Sequence, residues 1–296
     1  MGQFIALRPP NNFMQLDVEG LGFNFCSTVW HQFLEDQRTR RRPSTPLMPG
    51  RRSAVSVRWS SAARDNEGVG EREFIVSHEG AEIRGVAWLP DEAPCEGLVL
   101  FGHGFTTHKR CAFHVPIAKR LARVHRICAA AIDAPCHGDR ADPASTPEKV
   151  AENYLAYWRA NGGIAIAQEL NATAEGLGAL PEIGPVPLGY WGLSLGTQYG
   201  LEFLATSQVV RGAVLGLFGL AGPRIAHSAA RVHCPVFFVR QLNDEIHAAE
   251  SSRLLFDRLG STNKTLRSSA GRHEAVPTPV IESALSFLAR TLRAAP

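Results

Sequence analysis

Leu188-Gly189-Tyr190-Trp191-Gly192-Leu193-Ser194-Leu195-Gly196 reads as a buried strand that turns sharply and opens a helix. Leu188 to Trp191 supplies the strand, and residues 197–206 supply the helix. Between them, Gly192 to Gly196 fits the pattern G-x-S-x-G. Three fixed positions recur by chance in many proteins, so the pattern alone decides little. Its setting sharpens it. A tight turn at this point lifts the Ser194 hydroxyl clear of the sheet, and small residues at 192 and 196 let neighbouring backbone come close. The helix that starts here aims its N–H groups at developing negative charge. The plainer reading is a glycine-flanked turn in which Ser194 caps the helix.

Working upstream, Leu98-Val99-Leu100-Phe101 is a short continuous apolar run, the mark of a strand buried on both faces. Gly102-His103-Gly104-Phe105 follows it directly. If Ser194 attacks an acyl carbon, a tetrahedral oxyanion forms and needs two convergent donors. The backbone N–H groups of Leu195 and Phe105 are the natural pair. His103, Gly104, Tyr154 and Trp158 are the candidates for contact with a substrate. The plainer alternatives are a structural histidine bonded to its own loop and aromatic residues packed as helix core.

Working downstream, a base and an orienting acid are expected at later strand ends. Asp244 lies in Gln241-Leu242-Asn243-Asp244-Glu245-Ile246, after the strand Val236 to Val239. His273 lies in Ala270-Gly271-Arg272-His273-Glu274, after the last strand. The stretch between them fits one helix, one strand and their loops, which brings both to the sheet edge that carries Ser194. His273 would take the serine proton, and Asp244 would fix its tautomer and stabilise the imidazolium. Asp244 is favoured over Asn243 and Glu245 because it lies two residues from the apolar Ile246, so both face inward in an extended loop. His247 reads as surface or pocket rim, and His233 precedes its strand at the wrong end. Asp133, His137 and Asp139 could suggest a metal, but no second cluster completes a shell, and a tight loop shaping the pocket wall is the expectation. No elbow surrounds Cys136.

Around this frame the texture of the 296-residue chain changes at Glu71, and from Leu98 onward strands alternate with helices, which favours a mainly parallel sheet covered on both faces. His78-Glu79-Gly80 reads as a hairpin turn before it. Residues 1–70 lack sustained periodicity. Arg38, Arg40, Arg41 and Arg42 adjoin Pro43, Pro46 and Pro49, the texture of a solvated linker, with a short helix expected from Thr28 to Glu35. Met48 is an alternative start. The expected division is an N-terminal extension over 1–70 and a catalytic domain over 71–296. A net charge of +3 is too small to argue for nucleic acid, so no such partner is expected, and no apolar run reaches the length of a membrane span. Six cysteines without a CxxC pair, and no clean secretory signal, read as reduced thiols in a cytoplasmic protein.

Gly102-His103-Gly104, the run Asp133 to Arg140, Gly192 to Gly196, Asp244 and His273, in this order, resemble the α/β-hydrolase superfamily, and within it the dienelactone hydrolase-related serine hydrolases. The resemblance covers about Glu71 to Leu292. It implies an eight-stranded sheet, the Ser-Asp-His triad, carboxylic ester or lactone substrates and no cofactor. Dienelactone hydrolases carry cysteine in the elbow, whereas this chain has Ser194, so a broader esterase or acyl hydrolase is expected. The short gap from Leu217 to His233 predicts no large cap between strands 6 and 7 of that sheet; the stretch Ala141 to Gly184 is the alternative cover. The expected reaction is hydrolysis of a small ester, thioester or lactone through an acyl-serine. The alternatives are an exopeptidase or amide hydrolase with the same triad, and a hydrolase-fold binding protein without turnover.

Overall fold

The switch from period-two to continuous apolar patterning along the chain marks where the sheet passes from half-covered to fully buried. In the computed structural model, which describes residues 55–65, 68–91 and 94–294, the sheet has nine strands: β1 (Ser56–Asp65), β2 (Val69–His78), β3 (Ala81–Pro90), β4 (Gly97–Gly102), β5 (Ile127–Ile132), β6 (Leu188–Leu193), β7 (Val210–Gly216), β8 (Val236–Gln241) and β9 (Lys264–Ser269). Their spatial order is β1-β2-β3-β5-β4-β6-β7-β8-β9. The first three strands are antiparallel, and β3 pairs antiparallel with β5. From β5 to the far edge every pairing is parallel.

Among the described residues seven α-helices accompany the sheet: α1 (His114–His125), α2 (Pro147–Asn161), α3 (Ile164–Ala179), α4 (Leu195–Thr206), α5 (Gly222–Ala229), α6 (Ala249–Arg258) and α7 (Thr278–Arg293). Alternation within the buried strands sorts the core into two layers. Leu98, Leu100, Cys128 and Ala130 face one layer, with Tyr154, Leu170, Leu201 and Leu255 from the helices on that side. Val99, Phe101, Ile127 and Ala129 face the other, with Leu121 of α1 and Leu285 and Leu288 of α7. Both faces of β4, β5 and β6 are therefore covered, which is why these strands read as unbroken apolar runs.

Two expectations need correction. The sheet has nine strands, not eight, because β1 lies within the residues assigned to a linker. Its inward positions Val55, Val57 and Trp59 pack against the core while Ser56, Arg58 and Ser60 are exposed, a half-buried edge pattern. A register shift between Trp59 and Ser61 breaks the alternation, and serines and arginines hide the rest. The folded unit therefore begins ahead of residue 71. The Thr28–Glu35 helix and the arginine cluster lie outside the described residues.

The second correction concerns the cysteines. Cys95 and Cys128 have Cα atoms 5.7 Å apart and are joined as a disulfide, a separation in the ordinary range. Cys95 precedes β4 and Cys128 sits in the neighbouring β5, so sheet pairing brings together residues with no local motif. Cys111, Cys136 and Cys234 are free. Among the described residues no helix is long and apolar enough to cross a membrane.

The order β5-β4-β6 creates a switch point. The chain leaves β4 toward β5 on one side and later returns through β6 on the other, so the loops at their carboxyl ends diverge and open a crevice. Between β7 and β8 only the eight-residue α5 intervenes, and no large cap is inserted there.

Candidate active site

Ser194 stands at the carboxyl end of β6, at that switch point. Its backbone has φ 56° and ψ −122°, a region L-residues rarely occupy and that costs about 1–3 kcal/mol. Several contacts hold it there. Ser194 N–H donates to the Gly216 carbonyl at 2.9 Å. Thr197 Oγ1 accepts the Gly216 N–H at 2.8 Å and lies within donating distance of the Gly192 and Gly216 carbonyls. Tyr190 Oη donates to the Gly196 carbonyl at 2.6 Å. A Cβ on Gly196 would overlap the Gly102 carbonyl oxygen, so only glycine lets the elbow seat against the end of β4. Thr197 and Tyr190 were not among the sequence candidates; a buried threonine three residues after the elbow serine was the available signal.

Asp244 and His273 arrive from the loops after β8 and β9. His273 Nε2 lies 2.9 Å from Ser194 Oγ, and His273 Nδ1 lies 2.8 Å from Asp244 Oδ2. The Asp244 carboxylate, 1% exposed, accepts the Ile246 and His247 N–H groups on Oδ1 at 2.8 and 2.9 Å. Burial pushes the Asp244 carboxyl up, but the hydrogen bond and charge of His273 and the two backbone donors outweigh it, and it lies below its ordinary value. An ionised Asp244 leaves His273 Nδ1 as the donor and Nε2 as the acceptor facing the Ser194 hydroxyl. Glu245, the competitor for the acid, has a different place: its Oε2 accepts the His273 backbone N–H at 3.0 Å, and its carboxylate pairs with Arg272 at 3.3 Å.

His247 is not at the rim. It is 2% exposed and its ring packs 5.8 Å from that of His273 and 4.8 Å from that of Phe218. His233 is exposed and faces the Gly260 carbonyl, ahead of β8, at the end of the sheet away from Ser194.

Across the crevice, the loop after β4 carries His103, Gly104 and Phe105. His103 is fully buried. Its Nδ1 is 2.8 Å from the Gly104 carbonyl and its Nε2 accepts the Ala134 N–H at 2.9 Å, so the ring is neutral with its proton on Nδ1. Burial depresses its pKa to about 4. Both nitrogens are committed to backbone, so His103 organises its loop and does not offer a ring nitrogen to a substrate. Tyr154 and Trp158 are likewise core residues, 1% and 3% exposed, stacked on each other. Tyr154 meets Phe105 and His137 edge to face and its hydroxyl faces Gln198 Oε1 at 3.4 Å. The aromatic pair backs the Phe105 loop from inside. Gly104 and Phe105 are only half-buried.

Asp133 accepts hydrogen bonds from Lys109 and from the Asp139 N–H. Among the described residues no group of three or more His, Cys, Asp or Glu is disposed to hold a metal.

Solved structures share this fold. A cold-adapted esterase from an Arctic intertidal metagenomic library, in its PEG-bound complex, is 35% identical, with a TM-score of 0.71, covering 80% of this chain and 100% of that one. The native structure of a cold-adapted esterase from such a library matches at 32% identity, with a TM-score of 0.66 over the same shares. Acetyl xylan esterase 1 from Thermoanaerobacterium sp. JW/SL YS485 shares the fold at 14% identity, with a TM-score of 0.58 over 92% of this chain and 94% of that one. No protein-family model matches the sequence, and neither does any curated protein. The nine-stranded, mostly parallel sheet with its flanking helices is the fold of an α/β hydrolase. The chain belongs to the α/β-hydrolase superfamily. The narrower likeness to dienelactone hydrolases rests on the motifs alone.

Proposed function

We propose that this protein hydrolyses small carboxylic esters through an acyl-enzyme formed on Ser194. The observation that carries the reading is the continuous chain Ser194 Oγ, His273 ring, Asp244 carboxylate, with separations of 2.9 and 2.8 Å. These lie within the range needed for proton transfer between nucleophile and base. The esterases among the similar structures support an ester substrate.

In this reading His273 Nε2 takes the hydroxyl proton as Ser194 Oγ bonds to the acyl carbon. Asp244 stabilises the imidazolium without taking its proton. The tetrahedral oxyanion is held by the amides of Leu195, the first residue of α4, and of Phe105, in the loop that adjoins Gly196. Collapse expels the alcohol, which receives the proton from His273. Water then enters, gives a proton to the same nitrogen, and releases the acid. No electron transfer is involved, and the triad and backbone account for every proton.

Initial rates on p-nitrophenyl acetate test the reading. Wild type should turn over, and Ser194→Ala and His273→Ala should each lose on the order of 10⁴–10⁶ in kcat. Equal rates for wild type and Ser194→Ala overturn it. A parallel panel of aminoacyl anilides separates an ester hydrolase from an amide hydrolase with the same triad.

A further inference from the structure

We infer that Lys109, outside the triad, is a positioning residue that locks the loop carrying Phe105 to the end of β5 through Asp133. The inference rests on the reading of Phe105 as an oxyanion donor. The loop is tied on both sides of Phe105. On one side, His103 Nε2 accepts the Ala134 N–H at 2.9 Å. On the other, Lys109 makes two bonds to one carboxylate: its backbone N–H donates to Asp133 Oδ1 at 2.7 Å, and its Nζ donates to Asp133 Oδ2 at 2.5 Å. The Asp139 N–H donates to the same Oδ2 at 3.0 Å, and the Asp139 carboxylate takes Lys109 Nζ at 2.7 Å. Both anchors therefore land on consecutive residues, Asp133 and Ala134, at the carboxyl end of a central strand.

This pair is a poor device for stability alone. The Lys109 and Asp133 side chains are 5% and 1% exposed, and removing two ions from water offsets most of their attraction, so an apolar pair of similar volume is often at least as stable. What such a pair supplies is a fixed geometry. A donor aimed at an oxyanion must be held within about 0.5 Å, and the Phe105 loop does not settle there by itself: Thr106 stands at φ 56°. A strained turn held at both ends meets the requirement, and a loop missing one anchor does not.

Steady-state kinetics on p-nitrophenyl acetate, with melting temperatures measured alongside, test this in three proteins: wild type, Lys109→Met, and the neutral double variant Lys109→Met/Asp133→Asn. The amide oxygen at 133 still accepts the backbone N–H of residue 109, the Asp139 N–H alone gives up its acceptor, and no charge is left buried there without a partner. Lys109→Met should lower kcat by about 10- to 100-fold with KM within about threefold of wild type, the signature of a donor lost only in the transition state. The double variant should regain melting temperature without regaining kcat. If Lys109→Met does not fold, the double variant carries the comparison. A kcat within twofold of wild type in either folded variant, or recovery of kcat in step with melting temperature, overturns the inference alone. A wild type without Ser194-dependent turnover overturns the functional reading and this inference with it.

Discussion

Asp244 grips His273 with one carboxylate oxygen, at 2.8 Å, while its other oxygen is held by the two backbone N–H groups of residues 246 and 247. The carboxylate cannot swing away without giving up both backbone donors. An amide in its place would meet those donors with its oxygen and present an NH₂ to the ring, which favours the wrong tautomer. Asp244→Asn should therefore keep the fold and lose on the order of 10³–10⁴ in kcat. Glu245→Gln keeps an acceptor for the His273 N–H and should lose less than about tenfold. Kinetics of the two variants, side by side, separate the acid from its neighbour; equal losses would mean that the carboxylate at 244 has no special part.

The strained backbone at Ser194 makes a stability prediction independent of turnover. Ser194→Ala keeps a Cβ at φ 56° and keeps the strain. Ser194→Gly relieves it, less the extra entropy glycine has in the unfolded chain. Both variants should be inactive, and the glycine variant should be about 1 kcal/mol more stable in urea unfolding. A glycine variant less stable than the alanine variant contradicts the backbone geometry.

Gly196 tests the seating of the elbow against β4. The added methyl of Gly196→Ala would press on the Gly102 carbonyl, and both are backbone, so neither yields cheaply. The variant should lose about 1–3 kcal/mol of stability and about 10² in kcat. Unchanged activity would show that the two loops have more room than the close approach implies.

How far the sequence foretold all this differs by element. The elbow and the loop after β4 were legible because glycines and a strand-to-helix switch are local. Asp244 and His273 were legible because they close two strands on the same sheet edge. Three features were not. β1 alternates only from Val55 to Trp59 before its register shifts, and its exposed face looks like a linker. The Cys95–Cys128 pair is made by adjacent strands, which no spacing rule reports. His247, next to the acid in a loop, looks like a rim residue, yet the Asp244 turn folds it inward against His273. His103, Tyr154 and Trp158, named for substrate contact beside a plainer reading as support, are buried behind the loop, because an aromatic or a histidine near a motif is more often support than surface.

The buried histidines predict a pH dependence of stability. Burial depresses His103 to about 4, and His114 and His137 to about 3. In the unfolded chain these side chains titrate near 6.5. Between those values the unfolded state binds protons that the folded state refuses, so their contribution is full above about pH 6.5 and is lost progressively down to about pH 4 and below. Each ring contributes a slope of about 1.4 kcal/mol per pH unit inside that window. Urea unfolding at pH 7, 6 and 5 should show a steep fall, and His114→Met should remove about a third of the slope. A flat profile from pH 7 to 5 would contradict the neutral, buried state of these rings.

The most direct measurement is intact mass after treatment with a fluorophosphonate, followed by peptide mapping. An activated hydroxyl paired with His273 should give one adduct per chain, on Ser194, absent in Ser194→Ala and strongly slowed in His273→Ala. No adduct on the wild type, or an adduct at another residue that persists in Ser194→Ala, would contradict the account.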